Sequence, residues 1–437
     1  MGHLVGKEIY QKLGDKIDSL PFRVSKNTAF FNILKALYSS DEAEVVVKMP
    51  YGFSSADQIV KSTGFEKNKL KNLLESLAAK GLVMDIWIRN RYYYMPSPLV
   101  VGIFEFTMMR TGDDLHSKEY AELFYEYLND RDSYAVNLGE GQQISPIRAL
   151  PHEGTILDRA YTEVLDYEKA TSIVESHGKF AIGLCSCRHE KLHVGKKRCD
   201  VPLETCATFG DSVDFMVRHN FAKAVTKSEI LDNLARSKEM GLVFSCDNVK
   251  NNVSFLCQCC SCCCNLLLGI SKFGYPNTIV TSNFIANISI EACEGCGKCA
   301  KACPIGAIDM ITDENPEAKN KKMPRINSSI CIGCGVCSLK CTKTGSLKLI
   351  KRKKRVIHPE TTFERIILQC LERGTLQNQM FGNPEKITQK IIKGFVGGFL
   401  RLPPVKRALM SDKLRSSFLD KMKSGAVKQK KEYLLEM

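Results

Sequence analysis

Cys293-Glu-Gly-Cys296-Gly-Lys-Cys299-Ala-Lys-Ala-Cys303-Pro304 and Cys331-Ile-Gly-Cys334-Gly-Val-Cys337-Ser-Leu-Lys-Cys341 stand in tandem, each reading C-x2-C-x2-C-x3-C. Four thiolates at that spacing suit a cubane [4Fe–4S] centre, and two runs in series suit a pair of them. Cysteines with two residues between them wrap a tight turn around one corner of a cluster. Gly295, Gly297, Gly333 and Gly335 lie in those turns. Glycine lets the backbone take positive φ and brings amide N–H groups close to the sulfurs. The fourth cysteine of each run points away and serves the other cluster. The expected sets are therefore Cys293, Cys296, Cys299 with Cys341, and Cys331, Cys334, Cys337 with Cys303. Zinc is the alternative, but zinc sites usually pair C-x2-C units across a wider gap.

The chain has 437 residues, enough for two to four domains, and 20 cysteines. Met1 to Leu20 contains no apolar stretch of the secretory kind. Without export, disulfides give way to metal or cluster binding as the account of so many thiols. No run of 18 apolar residues reads as a membrane span. A cytoplasmic, oxygen-poor setting is the expectation. The formal net charge of +14 is uneven: residues 383 to 437 hold 13 Lys/Arg against 5 Asp/Glu, and Lys351 to Arg355 adds a basic run. Such a distribution argues for a local basic tail rather than a nucleic-acid-coating protein.

Residues 284 to 350 resemble the bacterial 2[4Fe–4S] ferredoxin domain. Both cysteine runs carry the resemblance, with the glycines and with Pro304-Ile305-Gly306-Ala307-Ile308 after the first run. The second run departs from the pattern in ending Cys341-Thr342, without proline. The stretch from Cys303 to Cys331 is long, and a charged loop from Asp313 to Lys322 is expected to bulge from it. Residues 180 to 264 look like the cysteine-rich segment found ahead of such domains in multi-cluster proteins of anaerobic bacteria and archaea. The resemblance implies electron transfer and leaves the partner open.

Eleven cysteines lie in residues 185 to 264: Cys185, Cys187, Cys199, Cys206, Cys246, Cys257, Cys259, Cys260, Cys262, Cys263 and Cys264. They suffice for one or two further clusters. One partition gives Cys185, Cys187, Cys199 and Cys206 a third cluster, and four of the six from Cys257 to Cys264 a fourth. Mixing between the two groups is an equal alternative, because a helix over residues 225 to 241 can bring them together. A non-cubane centre of higher nuclearity and a zinc site also remain open. His189 and His193 lie beside the Cys185-Ser-Cys187 motif. Cys370 has no partner pattern and reads as a core cysteine.

The remaining chain reads as α+β. Residues 1–105 form a winged-helix-like domain, with helices over Asn27 to Tyr38, Ser55 to Ser62 and Phe65 to Lys80. A hairpin follows, from Leu82 to Ile88 and Tyr92 to Met95, turning through Arg89-Asn90-Arg91. Lys67, Lys69, Lys71, Arg89 and Arg91 suit phosphate contacts, but base-reading residues are scarce, so docking or dimerisation is preferred to sequence-specific DNA binding. Residues 106–179 are a helical connector, including a helix from Leu157 to His177. Residues 180–283 form a cysteine-rich α+β domain, 284–350 the ferredoxin domain, and 351–437 a basic helical tail. Helices over Glu385 to Lys393 and Lys406 to Lys423 place Ile387, Ile391, Ile392, Phe395, Phe399 and Leu400 beside lysines. Such a face suits an anionic membrane surface, which would put the protein at the inner face of the membrane.

No nucleotide-binding glycine motif and no organic-substrate site is visible. The expected function is an iron–sulfur electron conduit, or a subunit of an anaerobic oxidoreductase, working with a redox partner protein. The alternatives are a redox-sensing winged-helix regulator and a redox enzyme whose catalytic cluster lies between Cys185 and Cys264.

Overall fold

Asn27 accepts a hydrogen bond from Phe30 N and caps the helix Thr28–Leu37, whose Phe30, Ile33 and Leu34 turn inward. The computed structural model describes residues 2–112, 116–157, 164–312, 322–354, 356, 358–381, 387–429 and 431–435. It divides into two compact units: residues 1–144 with 214–222 and 359–437, and residues 145–213 with 223–358. Both helices and strands are abundant, which makes the fold α+β.

In the first unit, Ser55 and Gln58 form a capping box at the start of Ala56–Thr63, and Gly64 closes that helix with φ +72°. Glu66 caps Lys67–Ala79. The strands β1 (Ser54–Ser55), β2 (Val83–Ile88) and β3 (Arg91–Pro96) form a small antiparallel sheet in the order β1-β3-β2. The hairpin turn is tighter than expected. Ile88 pairs with Arg91, leaving Arg89 and Asn90 as a two-residue loop at φ 50° and 62°. Helices Gly2–Asp18 and Ser40–Lys48 join this region without a sequence expectation behind them.

In the C-terminal segment of the same unit, helix Thr362–Arg373 buries Cys370 completely. It shares a core with Leu376, Leu400 and Leu419. The tail forms three helices, Ile387–Arg401, Pro403–Met410 and Arg415–Lys428. Pro403 opens the second of these, where its missing N–H costs nothing. Glu385 and Lys386 of the expected tail helix lie outside the described residues. Among the described residues no helix is long and apolar enough to cross a membrane.

The second unit is built on a six-stranded sheet in the order β4-β8-β9-β6-β5-β7. Its strands are β4 (Ile147–Leu150), β5 (Phe180–Leu184), β6 (Glu204–Phe209), β7 (Ala222–Val225), β8 (Val243–Asp247) and β9 (Phe255–Cys259). The pairs β4–β8, β8–β9, β9–β6 and β6–β5 are antiparallel. One side of the sheet packs Leu150, Phe180, Phe209, Phe244 and Leu256 against Ile230 and Leu234 of helix Lys227–Glu239, which Thr226 and Glu229 cap.

The expected helix from Leu157 to His177 is not continuous. Residues 158–163 lie outside the described residues, Asp166–Glu168 is a 3-10 turn, and the α-helix spans Ala170–Glu175. A tertiary contact holds the break. Glu168 accepts from Leu165 N at 3.1 Å and from Asn283 Nδ2 at 2.7 Å, which fixes a turn where the sequence period alone suggests helix.

After this sheet come two antiparallel pairs. β10 (Phe284–Ile288) pairs with β13 (Leu347–Lys351), and β11 (Ile308–Thr312) pairs with β12 (Lys322–Ile326). Short helices Lys298–Ala302 and Val336–Leu339 lie between them in sequence. Of the expected charged loop, Asp313 and the residues up to 321 are outside the described residues.

Candidate iron–sulfur and metal centres

Each cysteine run of the dicluster region folds as a loop leading into a short helix. Gly297 and Gly335 cap those helices at φ +71° and +83°, a left-handed conformation that suits glycine. At Gly333 and Gly335 the space is also closed. A Cβ on Gly333 would run into the Phe284 carbonyl oxygen and the Ser282 hydroxyl, and one on Gly335 into the Thr155 hydroxyl.

The fourth cysteines cross over. Cys293, Cys296, Cys299 and Cys341 line one cavity. Cys303 faces Cys331, Cys334 and Cys337 closely enough for their charges to interact. Backbone N–H groups converge on the sulfurs, with Ala307 N donating to Cys303 Sγ at 3.1 Å and Gly295 N to Cys293 Sγ at 3.4 Å. Burial pushes the Cys334 thiol up to about 12. Burial also raises Cys341, but the Ser346 hydroxyl, the Leu347 N–H and the Thr344 hydroxyl together hold it below its ordinary value. Two converging groups of four thiols, each met by backbone donors, fit the donor set of a cubane cluster.

The middle cysteines are sorted by the six-stranded sheet. On β9, Cys257 and Cys259 share one face, while Leu256, just before them, enters the core on the other. Cys206 of β6 meets Cys257, and Cys257 meets Cys259. Cys259 meets Cys264, which in turn meets Cys187. Cys185, directly after β5, interacts with Cys187, Cys257 and Cys259, and also with Cys260. Six thiols thus form one connected, largely buried group. Burial pushes Cys185 up to about 12, against the opposing pull of Arg188.

A second group is tighter. The sulfurs of Cys199, Cys260, Cys262 and Cys263 all lie within 4.8 Å of one another. Cys199 and Cys260 are 3.7 Å apart, Cys262 and Cys260 3.9 Å, and Cys262 and Cys263 3.4 Å. The grouping differs from the partition expected first. Cys199 stands with the Cys260 turn, whereas Cys185, Cys187 and Cys206 stand with Cys257, Cys259 and Cys264. Thiols from both stretches of sequence are therefore mixed in space, and strand register rather than proximity in sequence produces this.

Arg188 adjoins both groups and is fully buried. Its Nε donates to Cys260 Sγ at 3.4 Å, and its NH groups donate to the carbonyls of Pro202 and Gln258 and to Thr205 Oγ1. Beside Cys187 and Cys264, Lys191 donates to Glu190 at 2.7 Å and to Asn265 at 2.9 Å, and Asn265 donates back to Glu190 at 2.7 Å. This closed network satisfies a buried ion pair that sequence reading missed. His189 and His193 contact each other, Nε2 to Nε2, at 2.9 Å. Cys246 is fully buried on β8 beside Arg148 and Asp247, outside both thiol groups.

The family model of the 4Fe-4S dicluster domain matches residues 292–344, and the domain implies two [4Fe–4S] clusters. Through this region the chain belongs to the ferredoxin-type 4Fe–4S dicluster family. It is 30% identical over 73 residues to Ferredoxin-3 of Nostoc sp., an alignment covering 14% of this chain and 75% of that relative. No solved structure matches the chain.

Proposed function

We propose that the protein passes single electrons between its ferredoxin-type clusters and a redox partner protein, as an electron conduit or as a subunit of an anaerobic oxidoreductase. One cluster is held by Cys293, Cys296, Cys299 and Cys341, the other by Cys331, Cys334, Cys337 and Cys303. When bound, such clusters supply one-electron donors and acceptors. The observation that carries the reading is the convergence of Cys303 on the second run and of Cys341 on the first. The chain's own groups do the tuning: N–H donors at Cys293 and Cys303, and hydroxyl donors at Cys341.

Cys185, Cys187, Cys206, Cys257, Cys259 and Cys264 hold a further iron–sulfur centre in this reading. Strictly anaerobic protein should contain more than the about 8 iron and 8 sulfide that two cubanes supply. Its reduced EPR spectrum should carry a component that Cys206→Ser removes. Iron near 8, unchanged in that variant, would confine electron transfer to the dicluster domain.

The four helices and hairpin of residues 28–96 serve, in this account, as a winged-helix-like docking module. Lys67 pairs with Asp57 at 3.2 Å, Lys69 with Asp41 at 2.7 Å and Lys71 with Glu75 at 3.9 Å, so the charges suited to DNA phosphate are locally offset. The tail offers a peripheral membrane contact. Along Ile387–Arg401, Val396 and Leu400 face the core, while Ile391, Phe395 and Phe399 form an outward stripe at i, i+4 spacing. Phe395 is 79% exposed, with exposed Arg401, Arg407 and Lys413 nearby in sequence. The full chain should float with vesicles containing anionic lipid, and Phe395→Asp with Phe399→Asp should lose most of that binding. Equal flotation of both proteins would reject the tail as the contact.

A further inference from the structure

We propose that Cys199, Cys260, Cys262 and Cys263 hold a single thiophilic divalent ion in a tetrahedral tetrathiolate site, distinct from every iron–sulfur centre of the chain. The spacing of the sulfurs carries this. Ligand sulfurs about 2.3 Å from one ion sit about 3.8 Å apart at the corners of a tetrahedron. The three sulfur–sulfur contacts here are 3.4, 3.7 and 3.9 Å, and all four sulfurs fall within 4.8 Å. A cubane puts four irons between the same thiolates and spreads them wider. The dicluster region gives an internal comparison. Its eight cysteines are all described, yet among the described residues the Cys199 group alone gathers its ligand atoms so closely.

The surroundings suit a closed, structural site. Four thiolates around a divalent ion leave a net charge of about −2. The buried guanidinium of Arg188 donates to Cys260 Sγ at 3.4 Å, and Lys197 donates to the Cys199 carbonyl on the same loop. Val201 and Leu242 pack against Cys260 and Cys263, giving the site an apolar wall. With four protein ligands present, no open position is needed for chemistry.

The placement also suggests what the ion does. Cys260 and Cys263 each adjoin a member of the six-thiol group, Cys259 and Cys264. An ion that fixes the turn 260–263 therefore fixes the direction of Cys259 and Cys264. The single-ion site acts as a clamp that holds two thiols of the neighbouring centre in place.

The test uses the unmodified full chain, purified anaerobically. If the ion is zinc, X-ray absorption at the zinc edge should show about one zinc per chain with four sulfurs at about 2.3 Å and no iron neighbour. If it is iron, Mössbauer spectra should show one tetrathiolate iron in excess of acid-labile sulfide. The double variant Cys262→Ser, Cys263→Ser should lose that one ion without losing an equivalent of sulfide. The proposal is overturned if this variant instead loses iron and sulfide in equal amounts, about four of each, or if the unmodified chain holds no metal beyond its sulfide-bound iron. EPR of the reduced dicluster domain, read in the same samples, keeps the two readings apart. Missing ferredoxin-type signals would reject electron transfer and leave a four-sulfur zinc spectrum standing.

Discussion

Cys303→Ser is expected to remove the same component of the reduced EPR spectrum as Cys337→Ser, and to spare the component that Cys299→Ser removes. Iron should fall by about 4 per chain in each case, the content of one cubane. The reasoning is geometric. Cys303 belongs by sequence to the first run, yet the fold sets it against Cys331, Cys334 and Cys337. Its loss leaves that cluster with three ligands and leaves the cavity of Cys293, Cys296, Cys299 and Cys341 intact. A Cys303→Ser spectrum matching that of Cys299→Ser would mean that each run keeps its own fourth cysteine, and the assignment would be wrong.

Gly335→Ala is expected to destabilise the dicluster domain by about 3 kcal/mol or more. A side chain held in the left-handed region costs about 1 to 2 kcal/mol by itself. Here the added Cβ also meets the Thr155 hydroxyl and approaches Leu349 Cδ1 at 3.3 Å. Both neighbours are nearly fully buried, so neither moves aside cheaply. Gly345 supplies the control. Its φ is +59°, and a Cβ there would meet nothing within 4 Å. Gly345→Ala should therefore show the conformational cost alone. Cluster loss makes unfolding irreversible, so the readout is the rate at which visible absorbance bleaches in denaturant under anaerobic conditions. Equal rates for the two alanine variants would remove the steric part of the argument.

The local features of this chain were legible from sequence because local rules set them. Asn27, Ser55 and Thr226 each start a helix by accepting a backbone N–H three residues on, and Gly64 ends one with a left-handed residue. The hairpin from β2 to β3 was recognisable, but its loop was read one residue too long. Arg89 and Asn90 both take positive φ, which a non-glycine sequence does not advertise. The break before Ala170 was hidden for a different reason. It depends on Asn283, a residue far along the chain that donates to Glu168.

The cysteines divide along the same line. By itself the sequence determined the dicluster domain, because C-x2-C-x2-C spacing and interleaved glycines act within a single turn of backbone. For the middle segment the sequence supplied eleven thiols and more than one way to group them. Which of them meet depends on the order of β9, β6 and β5 in one sheet, and on the alternation that turns Cys257 and Cys259 to the same face. It depends also on a turn that sends Cys260 and Cys263 one way and Cys259 and Cys264 the other. Those choices follow from strand register and burial across the whole sheet, so only the tertiary structure decided them.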